Sequence, residues 1–113
     1  MAYDDELATR FRKMIEGVPG LSEKRMMGGV CFFLNGNMLG GADRVKSGER
    51  RFMFRVGKEN TLKAEALPGG EAMIQGGRRM GGFYFVDAQK QPEAVIEAWV
   101  ALAVGHALSL PVK

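Results

Sequence analysis

Two glycine-bounded stretches constrain the fold of this chain more than any other feature. Lys24-Arg25-Met26-Met27-Gly28-Gly29-Val30-Cys31-Phe32-Phe33 is the first, and Gly76-Gly77-Arg78-Arg79-Met80-Gly81-Gly82-Phe83-Tyr84-Phe85-Val86 the second. Each sets glycines directly before a run of apolar and aromatic residues. Glycine permits positive φ and close backbone approach, and the run behind it reads as a buried strand. Both stretches are therefore expected to open strands of a sheet.

The rest of the chain fits around that sheet. Leu7, Ala8, Phe11, Met14 and Ile15 share one face of a 3.6-residue repeat, which predicts a helix over residues 4–16. Asp4 or Asp5 is placed to cap its N-terminus, and Gly17, Pro19 and Gly20 to end it. Strands are expected over residues 23–27, 30–34 and 37–42, with Asn35-Gly36 as a type I′ hairpin turn. Gly40-Gly41 points to a bulge or to something packed on bare backbone. Residues 43–49 read as a polar loop. Phe52, Phe54 and Val56 alternate with Arg51, Met53 and Arg55, which predicts a strand with one buried and one partly wet face. A short helix over 58–66, a strand over 72–75, a connection over 76–82 and a last strand over 83–87 follow. Pro92 opens a final helix over 92–108, anchored by Trp99 and Leu102. The fold class is α+β. It is a two-layer sandwich of a mainly antiparallel sheet of about five or six strands, with the N- and C-terminal helices packed on it.

The 113 residues fit one domain, residues 1–113, with 46% apolar and 26% charged residues, the balance of an ordinary globular protein. The one cysteine, Cys31, excludes an internal disulfide and suits a reducing cytoplasm. The acidic start Asp4-Asp5-Glu6 does not read as a secretory signal, and no apolar run approaches the ~20 residues that span a bilayer. A cytoplasmic location is expected, with no membrane partner.

Chemistry-bearing patterns are sparse. Nucleophilic catalysis needs a nucleophile beside a base. The only thiol, Cys31, lies inside an apolar run and reads as core, while the only imidazole, His106, reads as a surface residue at a helix end. Two Cys and His residues in total do not make a closed zinc site, and no acidic run matches a calcium loop. Neither glycine stretch leads into a helix, so neither reads as a phosphate loop. No catalytic residue, cofactor or metal is expected, and the chain reads as non-enzymatic.

Two binding patterns remain. Lys24, Arg25, Arg78 and Arg79 stand beside Met26, Met27 and Met80 at the two glycine stretches. If those strand starts are neighbours in the sheet, bases and methionines line one rim suited to an acidic and apolar partner segment. The bland alternative is methionine as core filler with solvated bases. Arg44, Lys46, Arg50, Arg51 and Arg55 form a basic stripe that would attract nucleic acid, or would simply be a solvated loop.

The chain resembles the TfoX N-terminal domain family, named after a bacterial competence regulator. The likeness runs through Lys24-Arg25-Met26-Met27-Gly28-Gly29, Asn35-Gly36-Asn37-Met38, Phe54-Arg55-Val56-Gly57, Gly77-Arg78-Arg79-Met80-Gly81-Gly82-Phe83, the helix carrying Trp99, and Leu110-Pro111. Where the family usually shows Met-Phe-Gly-Gly and Gly-Arg-Pro-Met, this chain has Met26-Met27-Gly28-Gly29 and Gly77-Arg78-Arg79-Met80. The resemblance implies a two-layer fold similar to secretion chaperones, and no catalytic residues. The expected function is a small regulatory or protein-binding domain, linked to transcriptional or competence regulation. It would act as a homodimer or by docking a partner. Nucleic-acid binding through the arginine stripe is the alternative.

Overall fold

The computed structural model describes residues 4–26, 28–45 and 47–113. Helix α1 (Asp5–Met14) is followed by strands β1 (Leu21–Met26), β2 (Gly29–Leu34), β3 (Asn37–Arg44) and β4 (Arg50–Arg55). A 3-10 turn (Lys58–Asn60) leads into the short helix α2 (Thr61–Ala66), then β5 (Gly70–Gln75), β6 (Arg78–Asp87) and the long helix α3 (Glu93–Ser109). The strands form one antiparallel sheet in the order β1-β2-β3-β4-β6-β5. This is the expected α+β arrangement, with α1 and α3 against one face of the sheet.

Local sequence explains the elements. Asp4 caps α1, its Oδ1 accepting from the Leu7 amide at 3.0 Å. Asn35 (φ 52°) and Gly36 (φ 82°) take the left-handed conformations that a tight hairpin turn requires. At Gly40 and Gly41 the backbones close in: a Cβ at Gly40 would collide with the Met53 carbonyl, and one at Gly41 with the Val30 carbonyl. The β2–β3 register slips at Phe32/Phe33, the bulge that the glycine pair announced.

Antiparallel partners share a face, so the register sorts every side chain. One row, Glu23–Phe32–Gly40–Phe54–Tyr84–Ala72, crosses all six strands beneath the helices. Phe11 of α1 stacks on Phe32 with ring centroids 4.5 Å apart, and Trp99 of α3 lies 5.3 Å from Tyr84 and 6.3 Å from Phe54. Trp99, Phe11, Phe32, Phe52, Phe54 and Leu7 are all fully buried there. The indole N–H of Trp99 donates to the Pro68 carbonyl at 3.0 Å, so its one polar atom is satisfied. Arg50 ties α1 to β4: its Nε donates to Asp4 Oδ2 at 2.9 Å and its Nη2 to Glu6 Oε1 at 2.8 Å.

Three expectations are corrected. The connection over 76–82 is only the turn Gly76-Gly77, because β6 already starts at Arg78 and pairs with β5 through Gln75↔Arg78 and Ile74↔Arg79. The polar loop after β3 is shorter than expected, since Asp43↔Arg51 and Arg44↔Arg50 extend the ladder. His106 is not a surface residue: it is 7% exposed, because it falls seven residues after Trp99 on the same helical face. Its Nδ1 lies 2.5 Å from Glu59 Oε2, and its buried Nε2 has no partner among the described residues. Trp99 is fully buried and Leu102, half-buried, packs against the same core, so both anchor α3 as expected. Met27, expected to end the first strand, lies outside the described residues.

Candidate functional site

The second face of the sheet carries no helix. One row on it is Lys24–Cys31–Gly41–Met53–Phe85–Glu71, again crossing all six strands. Alternation adds Met26 on β1, Phe33 on β2, Arg51 and Arg55 on β4, and Phe83 on β6. Met38 on β3 joins them, as the cross-strand partner of Phe33. An uncovered sheet face is ordinarily polar. This one holds three of the seven phenylalanines and, with Met73, four of the eight methionines.

The face has a shallow part and a deep part. Phe33, Met38 and Phe83 are half-buried on this face, with Arg55 of β4 in the strand between Met38 and Phe83, and make up its shallow part, a shelf. Beside it the sheet curls into a groove of about 450 Å³, to which Met26 of edge strand β1 and Met73 and Gln75 of edge strand β5 both contribute. Its floor holds Cys31, Gly41 and Met53. Cys31, Met53 and Met73 are 4%, 8% and 5% exposed, so the groove is deep. Gly29 and Gly41 keep its floor thin, with backbone where other residues would place a side chain.

One ion pair lines the groove. Arg51 Nε donates to Asp43 Oδ1 at 2.8 Å and Nη2 to Oδ2 at 3.3 Å, in the two-pronged geometry that suits a guanidinium. The guanidinium carbon lies 3.7 Å from the centre of the Phe85 ring, a close cation–π contact. Burial, and then the Asp43 carboxylate, push the Cys31 thiol up, so it stays protonated at neutral pH and is a weak nucleophile there. Among the described residues no group of three or more His, Cys, Asp or Glu is placed to share a metal ion.

The residues expected to form one rim are divided. β1 is one edge of the sheet, and β6 lies beside β5 at the other, so the two glycine stretches are not neighbouring strands. Lys24 is on the helix-free face, opposite Cys31, whereas Arg25 is opposite Val30 on the helix side. Arg79 turns to the helix side, donating from Nη2 to Glu65 of α2 at 3.1 Å and to Tyr84 Oη at 3.3 Å. Arg78 is exposed opposite Gln75, and Met80 is half-buried. Of the expected set only Met26 lines the groove, and Met27 lies outside the described residues.

The arginine stripe is divided too. Successive strand residues face opposite ways, so Arg50 reaches α1 while Arg51 reaches Asp43 and Phe85. Arg55 lies 6.0 Å from the Phe83 ring on the helix-free face, Arg44 is opposite Arg50, and Lys46 lies outside the described residues. Cys31, Met53, Met73 and Asp43 belong to the groove without having been expected there. A signal for it exists in the unbroken run Val30 to Leu34. Apolar residues in both phases of a strand mean that both faces avoid water.

Among the described residues no helix is long and apolar enough to cross a membrane. No curated protein and no solved structure matches the chain at a significant level. The TfoX N-terminal domain profile matches residues 13–107, which takes in α3 through Ala107, the whole sheet and the groove. On that match the chain belongs to the TfoX N-terminal domain family.

Proposed function

We propose that this chain is a non-enzymatic regulatory domain of the cytoplasm that works by docking a protein partner on the helix-free face of its sheet. One observation carries the reading: that face is apolar where an uncovered face is ordinarily polar. Phe33, Met38 and Phe83 supply a shelf of aromatic and adaptable side chains, the residue types that contacts between proteins favour. Lys24 on β1 beside it and Arg55 on β4, between Met38 and Phe83, add positive charge, which complements acidic groups on the partner. A role connected to transcription or to competence is the setting that the family's name suggests. Nucleic-acid binding is not part of this reading, because Arg50 and Arg51 face opposite sides and each already holds carboxylates.

Photo-crosslinking residues placed at Phe33 and Met38, with Ala101 on the exposed side of α3 as control, test it in cells. Discrete adducts from the shelf but not from position 101 are expected. Sedimentation of the purified chain then shows whether the adduct is a second copy or a different protein. Absence of shelf adducts, or equal labelling from position 101, would sink the proposal.

A further inference from the structure

The geometry points to a second binding site on the same face: we propose that the deep groove takes a compact, uncharged ring compound bearing a hydroxyl or N–H. This goes beyond partner docking, which uses the shelf and does not need the groove to be filled. Volume is the first argument. The groove's 450 Å³ lies within the range of about 300–1,000 Å³ found for small-ligand pockets. It is about three times the ~150 Å³ cavity that accepts benzene. Two or three fused rings fill it.

The groove is open to solvent, yet Cys31, Met53 and Met73 along it are each more than nine-tenths buried. Side chains beside a gap forfeit dispersion contacts. A ligand restores those contacts. Its ring character follows from the walls: three thioethers (Met26, Met53, Met73) and the Cys31 thiol. Sulfur meets aromatic rings favourably at a distance of about 5 Å. Unbranched methionines can also settle onto a flat surface of varying outline.

Charge and polarity come from the ion pair in its wall. Asp43 and Arg51 neutralise each other inside the groove, so a charged ligand would have to break that pair. Each Asp43 oxygen accepts one guanidinium N–H, which leaves lone pairs for a ligand donor. Phe85 under the guanidinium holds the pair in place. One hydroxyl or N–H at that pair, and an apolar ring along the thioethers, complete the match.

β-Naphthol, which is fluorescent and carries one hydroxyl, is the probe. It is titrated into the purified full chain labelled with carbon-13 at the methionine methyls. Saturable one-site binding is expected, with the Met26, Met53 and Met73 signals shifting together while Met14, at the end of α1 on the covered face, stays still. Met73→Trp fills the groove from an edge strand and is expected to weaken binding by about tenfold or more. If that variant fails to fold, the methyl shifts of the native chain still decide. Lack of saturation, or shifts led by Met14, would overturn the site. Displacement of β-naphthol by decanol as readily as by a second ring compound would overturn its ring character. No partner is present in the titration, so its failure leaves the docking proposal untouched, and failed crosslinking leaves the groove proposal untouched.

Discussion

Both faces of this sheet carry apolar side chains, but of different kinds. Under the helices the material is rigid: Phe11, Phe32, Phe52, Phe54 and Trp99 sit with ring centroids between 4.5 and 6.3 Å. On the other face it is thin and adaptable: glycines, a thiol, thioethers and three phenylalanines, two of them near guanidiniums. The difference separates the face whose packing folds the chain from the face proposed to dock a partner. Ring stacks of fixed shape specify one packing, whereas methionine tolerates several.

Neighbouring residues on β4 give the sharpest test, because they point to opposite faces. Phe52→Ala should cost about 3–5 kcal/mol in urea unfolding, since a fully buried ring leaves a cavity that helices and sheet cannot close. Removing the charged tie between α1 and β4 comes next. Asp4→Ala should cost about 2 kcal/mol at neutral pH, through loss of the N-cap and of the Arg50 pair. The Arg50 guanidinium holds the Asp4 carboxyl below its ordinary value. That contribution is fully present above the unfolded-state pKa of about 3.9 and is lost as pH falls through the folded-state value. The gap between native chain and variant should therefore be flat near neutrality and narrow in acid. A gap that stays constant down to pH ~2 would show that the ion pair is not its source.

Met53→Ala, on the groove floor, should cost only about 1–2 kcal/mol despite its burial, because the space beside it is already open. A loss equal to that of Phe52→Ala would erase the distinction between the faces. The smallest effect is expected at Phe33→Ala on the shelf, under about 1 kcal/mol. That variant should nonetheless reduce crosslinking to a partner from Met38, which separates a contact surface from a structural one.

Periodicity and turn chemistry made much of the fold legible. The α1 stripe, the Asp4 cap, the Asn35-Gly36 turn and the bulge near Gly40 are local events, settled within a few residues. His106 was legible in principle, since it continues the Trp99 face by two helical turns, but its lone position near a helix end suggested the surface. The rim of bases and methionines was not legible, because it depended on which strands are neighbours. A strand's alternation tells how its side chains face, and says nothing about the strand beside it.

By itself, then, the sequence determined that this protein is an α+β domain of the TfoX N-terminal family, with its helices, turns and most strands in place. Only the tertiary structure decided that β6 slots between β4 and β5, and that the sheet curls until Met26 and Met73, from its two edges, line one groove. The physical reason is range. Capping, turns and periodicity act over a few residues, whereas strand order and curvature arise from packing the whole sheet against Phe11 and Trp99 at once.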